Sequence, residues 1–526
     1  MISFECYSLD QVVRESLESF RLYKSFLPDQ IKQNDFDWRP TGVAARNIKG
    51  MTLHTALCLN QRTKKKASHK TQRDLVSMWE GVDFLLIDEI SMVGCSMLLQ
   101  ISEALNEAKG NTQPFGGINI IFAGDLCQLP PVGQTRLFSR MNRSQYKTAS
   151  KQGQNDVLGK LLWLSVTTVV GLNEVMRQTG PENTTFVNLL MRLRTGKCTV
   201  QDYQMLNNRL INKVKPNWKE WQNVPIIVSD NATKDAINHR ATIAFAQNRK
   251  RKVHWYYASD KRGGKPTQDE NLQNHLITLD SGQTNQRLGS IPLVIGMPVM
   301  VTQNFDVAAG IVNGTTGTLQ SIRYYTDNRG RRHAISCVIK STTITGPPLP
   351  NLEEHEAAIL EDTVDMQFIH PHSQKKSTIR RTQLPILPAF AMTTHKAQGQ
   401  TMKQAIVDLQ SCKGTEAPYV MLSRIKNLEG LLILRSFDQK KIQCRQSEEL
   451  RTELQRLERL RQQTPTNAIE QTTGGTSSPS IHPIATTTVP QANATIPNSP
   501  TRTLKRPYSS SIPSHTNGKT QKRRRL

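Results

Sequence analysis

The sequence predicts a layered α/β fold built on parallel sheets, interrupted by a small β-rich insertion and followed by a disordered tail. Three patterns carry this reading. Short all-apolar runs, Phe84 to Ile87, Ile118 to Ala123, Pro225 to Val228 and Leu431 to Leu434, look like strands buried on both faces. Helical patterns lie between them, and strand–helix alternation points to α/β layers. From Thr464 onward the chain is Thr, Ser, Pro, Asn and Gly, with Glu470 its one acidic residue. Such a segment lacks the apolar content that offsets ordering entropy.

The elements follow in order. Leu9, Val12, Val13, Leu17 and Phe20 suggest a short amphipathic helix. Between Cys95 and Ala108, Leu98, Ile101 and Leu105 share a face, and Gly110 supplies a stop. Thr199 and Asp202 form a capping-box pattern opening a helix to Ile211. Thr318 to Thr326 and His333 to Ile339 are β-like runs joined by Asp327 to Arg332, a hairpin signal. Gly310, Asn313, Gly314 and Gly317 supply turns just upstream. Residues 344–380 read as irregular. Ser447 to Gln463 reads as a charged helix whose Leu450, Leu454, Leu457 and Leu460 dock it on the body.

Composition narrows the partners. Lys and Arg number 68 against 43 Asp and Glu, a net charge of +25, which points to a polyanion, usually nucleic acid. No apolar run reaches 18 residues, so a spanning helix and a membrane partner are excluded. The N-terminus lacks the pattern of a secretory signal. The eight cysteines are scattered without a C-x-x-C pair, which argues against zinc or a disulfide scaffold and for reduced thiols. The tail ends in two basic clusters, Lys505-Arg506 and Lys522 to Arg525, which read as nuclear import signals or polyanion contacts.

The sharpest chemical signal is Phe84-Leu-Leu-Ile-Asp-Glu89. Ligands in an open α/β sheet sit beyond the carboxyl ends of the strands, which puts Asp88 and Glu89 at a site edge. Mg²⁺ is held by one or two carboxylates plus phosphate oxygens and water. Asp88 is then the metal partner, and Glu89 orients and deprotonates an attacking water. Read alone, the segment is equally a strand that ends in an exposed acidic pair. A parallel neighbour ending at Gly124-Asp-Leu-Cys-Gln128 brings Gln128 to the same edge, where an amide can sense a γ-phosphate. Arg177 and Arg424 offer permanently charged donor forks for a transferring phosphoryl group; alone, each is a surface salt-bridge residue. Thr393 to Thr401 packs hydroxyls, an imidazole, an ammonium and a glycine into nine residues, a density suited to a phosphate backbone beside a nucleotide.

Taken together, Thr41 to His54, Leu86 to Val93, Gly124 to Val132, Met176 to Gln178, Val312 to Gly317, Thr394 to Thr401 and Leu422 to Arg424 resemble, in order, the petite-integration-frequency (PIF) family of ATP-dependent DNA helicases. These belong to superfamily one and are relatives of RecD. The style is also similar to helicases of fungal Helitron transposons. The resemblance implies two RecA-like domains with ATP and Mg²⁺ between them and an SH3-like insertion that helps hold single-stranded DNA. It implies a monomer that moves 5′ to 3′ and opens DNA duplex junctions in the nucleus, in repair, recombination or telomere maintenance. By that likeness Asp88 and Glu89 serve metal and water, Gln128, Gln398, Gly399 and Arg424 bind nucleotide, and Arg177 and Arg424 reach across the cleft. Thr41, His54, Thr394, His395 and Lys396 face the DNA. The implied boundaries are a divergent segment 1–38, a first domain 39–165, a second 166–437 with its insertion at about 296–385, the helix 438–463 and the tail 464–526.

One departure stands out. The family's P-loop supplies backbone N–H groups and a Lys to phosphate. Residues 1–40 contain no Gly, and no other Gly-Lys pair has the spacing. Most of the phosphate cradle, with the edge strand beneath it, is expected to be missing. A truncated gene product, a decayed helicase that still binds DNA, and a loop supplied by another chain all fit. A silent nucleic-acid-binding relic is therefore the rival to an active helicase, and a structural protein working through its tail is a third class.

Overall fold

The computed structural model describes residues 2–3, 36–39, 51–59, 69–141, 150–222, 224–267, 269–307, 309–369 and 376–464. The amphipathic pattern at Leu9–Phe20, Thr41 and the tail from residue 465 lie outside them. The first sheet holds β1 (Ile2–Ser3), β2 (Phe36–Arg39), β3 (Met51–Thr52), β4 (Phe84–Ile87) and β5 (Asn119–Gly124) in the order β1-β5-β4-β2-β3, with every pair parallel. An edge strand is present after all: Ile2 and Ser3 pair with Ala123 and Gly124. Two extended residues suffice, because the pairing uses only backbone groups.

β4 corrects the expectation of burial on both faces. Leu85 and Ile87 are fully buried, whereas Phe84 is 40 % exposed, the period-two alternation of a strand with one sealed face. The Cys95–Lys109 helix buries Leu98, Ile101 and Leu105 in the same core. It ends where Gly110 takes a left-handed backbone at φ 61°. The Lys151–Leu164 helix crosses it at Gly159, where a Cβ would stand 1.8 Å from the Cys95 carbonyl oxygen. Only glycine permits that approach.

The capping box forms as written: the Thr199 hydroxyl accepts from the Asp202 N–H, and the Asp202 carboxylate accepts from the Thr199 N–H. The helix ends at Asn207, short of Ile211, because Leu210 leaves it to bridge Ile433. Ile211–Val214 is a separate turn.

After β6 (Ile226–Val228) and the Asn231–Asn248 helix comes the β-rich insertion. It is larger than the hairpin signal suggests. It comprises β7 (His254–Tyr257), β8 (Ser259–Arg262), β9 (Lys265–Pro266), β10 (Ser290–Leu293), β11 (Pro298–Val301), β12 (Thr316–Thr326), β13 (Arg332–Lys340), β14 (Glu356–Leu360), β15 (Asp362–Ile369), β16 (Lys376–Gln383) and β17 (Ile386–Pro388). Seven strands form one sheet, ordered β10-β7-β13-β12-β11-β17 with β14 on β13, and β15-β16-β8-β9 form another. Within 344–380 the described residues 356–360, 362–369 and 376–380 are strand, not irregular. In β15 only Met366 and Phe368 are buried, so charged residues hide the alternation. A fully buried Arg381 on β16 grips Asp260 on β8 with two bonds of 2.7 Å.

The chain then closes a second parallel sheet with β18 (Ala391–Thr393), β19 (Ala405–Val407) and β20 (Leu431–Ile433), ordered β18-β6-β19-β20. All nine residues of these three strands are buried, as two-sided packing requires. The Glu448–Gln463 helix, capped by Ser447, buries Leu450 and Leu457 in the core that also holds Trp163. Glu453 on that helix accepts from the Trp163 indole at 2.8 Å. No helix among the described residues is long and apolar enough to cross a membrane.

Candidate functional site

β4 delivers Asp88 and Glu89 to its carboxyl end, where both are buried, at 2 % and 9 % exposure. Glu89 takes a left-handed backbone, φ 54° and ψ 44°, and starts the Ile90–Met92 turn. Glycine, which has no Cβ, would adopt this readily; glutamate does so at a cost, a form of strain that clusters at working sites. β5 ends alongside. A Cβ on Gly124 would stand 3.0 Å from the Ile90 nitrogen and 3.3 Å from the Glu89 Cα, so the glycine lets the two strand ends meet. Gln128, on the next turn, lines one small cavity with Ser91 and Arg136. Its Oε1 is buried with no hydrogen-bond partner.

The second sheet brings its own groups to this edge. Gln398 Nε2 donates to Glu89 Oε2 at 2.8 Å and lies 3.5 Å from Ser91 Oγ. A Cβ on Gly399 would stand 3.4 Å from Glu89 Oε1, so the carboxylate lies against this loop. Arg177 is buried and donates to Thr401 Oγ1 at 3.0 Å and to the Ser423 carbonyl at 2.9 Å. Arg424 is 1 % exposed; it donates to the Val420 carbonyl at 3.0 Å and to Ser423 Oγ at 2.8 Å. Contacts therefore run unbroken from Glu89 through the 398–401 loop to both guanidinium groups. Gln178 fastens the same region by donating to the Ile425 carbonyl at 2.7 Å.

Sequence reasoning missed a buried knot beside this edge. The Asp125 carboxylate accepts two bonds from Arg194, at 2.9 and 3.1 Å, one from the Tyr419 hydroxyl at 3.1 Å and one from the Cys127 N–H at 2.9 Å. Burial pushes this carboxyl up, but Arg194 and the hydrogen bonds outweigh it and hold it below the usual range. Arg194 ends the Thr184–Arg194 helix, and nothing in the neighbouring sequence separates it from a solvated basic residue.

A cleft opens on the other side of the 393–398 turn. Thr52, His54, Asn231, Lys234, Thr302, Asn304, Asn313, His395 and Lys396 are among its lining residues. His54 and His395 are exposed there. Thr394 is a correction: it is 1 % exposed, and its hydroxyl donates to the Val228 carbonyl at 3.2 Å, so it holds the turn against β6 instead of facing the cleft. Lys396 touches the Asn313 side chain, which ties this turn to the insertion. Burial, reinforced by nearby Lys234, pulls the Lys396 ammonium down to about 8. Lys234 was not foreseen, because it sits on a polar helix without a periodic signal.

The groups at the strand ends fit the terminal part of a metal–triphosphate. Among the described residues no three His, Cys, Asp or Glu gather to bind a metal alone. A magnesium ion held by Asp88 and Glu89 would therefore take its remaining ligands from phosphate and water. The orphaned Gln128 oxygen suits a water or a protonated phosphate oxygen. No glycine-rich phosphate loop is found among the described residues.

A family model described as PIF1-like helicase matches residues 32–204, which include Asp88, Glu89, Gln128 and Arg177. Across these residues the chain is similar to the PIF1-like helicase family. Among curated relatives, it is 27 % identical to the ATP-dependent DNA helicase PIF1 of Xenopus laevis over 414 residues, covering 77 % of this chain and 55 % of the relative. The Danio rerio PIF1 helicase is 27 % identical over 459 residues, covering 84 % and 62 %. The chain thus spans little more than half the length of these relatives. The crystal structure of Pif1 helicase from Candida albicans superposes with a TM-score of 0.61 at 21 % identity, covering 87 % of this chain and 94 % of that one. Pif1 from Bacteroides in complex with ADP-AlF3 and single-stranded DNA gives 0.59 at 22 %, covering 87 % and 92 %. The PIF1-like chain shares their fold, with its parallel sheets and β insertion.

Proposed function

We propose that this PIF1-like chain is an ATP-dependent DNA helicase, coupling Mg²⁺-dependent ATP hydrolysis to 5′–3′ movement along single-stranded DNA and to duplex opening. The observation that carries it is the Gln398–Glu89 bond, which joins the acidic end of β4 to the loop that also engages Arg177. Hydrolysis divides among this chain's groups as follows. Glu89 accepts the proton of the attacking water, and Gln398 holds that carboxylate in place. Gln128 positions the water or reads the terminal phosphate. Arg177 and Arg424 stabilise charge as the phosphoryl group transfers. Magnesium, when bound, neutralises phosphate charge.

The DNA runs through the cleft lined by His54, His395 and Lys396, next to this centre on the same turn of chain. Related proteins support both ligands: one Bacteroides structure holds ADP-AlF3 with single-stranded DNA, and a further Pif1 structure concerns DNA unwinding at forked duplex DNA by two coordinating helicases. We place the chain as a monomer in the nucleus, on its basic tail clusters, with work in repair, recombination or telomere maintenance.

The glycine-free first forty residues favour a second reading, a DNA-binding relic without catalysis. DNA-stimulated ATP hydrolysis decides between them. The helicase reading expects phosphate release that rises with single-stranded DNA and falls at least a hundredfold in Glu89→Gln, the scale of general-base loss. Salt-sensitive DNA binding with no hydrolysis establishes the relic.

A further inference from the structure

We propose that the β12–β13 hairpin tip is a second contact site for single-stranded nucleic acid, separate from the cleft. This rests on the nucleic-acid reading of the cleft and extends it to a surface that the motifs do not touch. Lys396 and Asn313 mark the cleft end of the insertion. β12 starts three residues later and runs for 11 residues. At about 3.4 Å per residue its far end lies roughly 30 Å away.

That far end is built from arginines and rings. Tyr325, 49 % exposed, stacks on His333 across the strands at 5.1 Å and 18°. His333 is itself fixed by Asp327 at 2.9 Å. The Arg331 guanidinium lies 5.2 Å from the centre of the Tyr257 ring, and Arg332 lies 4.9 Å from that of Tyr324, which is 41 % exposed. Arg323 and Arg329 are exposed on the same hairpin. Among the described residues the ion pairs at this tip are Asp327 with His333 and Glu270 with Arg329, the latter at 3.6 Å, and the Gln273 side-chain oxygen accepts from Arg329 and Arg331.

Four guanidinium groups around exposed, pre-ordered rings match a polyanion that also offers flat faces. Unpaired bases have free faces, and duplex bases do not, so the arrangement favours a single strand. Arginines take the phosphates, and Tyr325 takes a base.

The test uses full-length protein, fluorescently labelled oligothymidylates and the variants Tyr325→Ala, Tyr325→Phe and Arg323→Gln/Arg331→Gln. A strand of about six nucleotides fills the cleft alone; one of about thirty, at 3.4 Å or more per nucleotide, reaches both surfaces. Tyr325→Ala is expected to bind the long strand about tenfold more weakly, with Tyr325→Phe close to wild type and the short strand unaffected. The double arginine variant is expected to lower the salt slope on the long strand by about 1.4. Unchanged long-strand affinity in a wild-type protein that binds DNA overturns the second site and leaves the cleft standing. Equal losses on both strands, or a loss seen with blunt duplex alone, also overturn it. Absence of wild-type binding to any strand overturns both readings together.

Discussion

Gln398 donates its side-chain amide to the Glu89 carboxylate at 2.8 Å, though the two residues are 309 positions apart. Hydrogen bonds to a charged acceptor contribute about 1.5–3 kcal/mol. Gln398→Ala is therefore expected to lower kcat for ATP hydrolysis by roughly tenfold or more, while single-strand affinity, measured by anisotropy, changes little. A fall in DNA affinity with unchanged kcat would assign Gln398 to the cleft instead.

Asp125 and Arg194 form a buried pair between the end of β5 and the Thr184–Arg194 helix, and Tyr419 joins from the Glu416–Leu422 helix. Removing one partner of such a pair costs about 3–5 kcal/mol, so Arg194→Ala should lower the urea midpoint markedly. The Asp125 carboxyl is held below its usual range in the folded state. Its contribution is therefore present above the unfolded value, near 3.8, and is lost as pH falls through the lower folded value. Asp125→Asn should be less stable near neutrality and show a flatter acid limb in thermal melts below pH 4.

Lys396 titrates near pH 8, within reach of an ordinary binding experiment. A phosphate beside it favours the protonated form, so binding takes up a proton as pH approaches 8. Single-strand affinity should fall between pH 7 and pH 9, and Lys396→Arg should flatten that profile, because guanidinium stays charged. An identical slope in the variant would remove Lys396 from the contact.

Leu457 is fully buried where the final helix packs near Trp163. Leu457→Ala is expected to cost about 2–5 kcal/mol, read from chemical denaturation. Arg459→Ala, at an exposed position of the same helix, should stay within about 0.5 kcal/mol.

Much of the fold was legible because local patterns agreed with it. The apolar runs became β4, β5, β6 and β20, the Thr199 box formed, and the leucines of the last helix found a core. The insertion was underread because β8 and β9 bury no side chain fully and β15 buries only two, which leaves little apolar periodicity to see. At the site, Asp88, Glu89 and Gln128 could be placed by the strands that precede them. Thr394 was assigned from the resemblance alone, and its hydroxyl is taken up by the Val228 carbonyl of β6, a contact no local pattern announces. Lys234, Ser91 and the Asp125–Arg194–Tyr419 knot arise from contacts over long sequence separations, which no local pattern announces.

Calorimetric titration of the wild-type chain and Arg424→Ala with a slowly hydrolysed ATP analogue and Mg²⁺ tests the central claim most directly. Saturable 1:1 binding that weakens at least tenfold in Arg424→Ala is the predicted result. No binding to the folded wild type, or equal binding by both proteins, would contradict a nucleotide held between the two sheets.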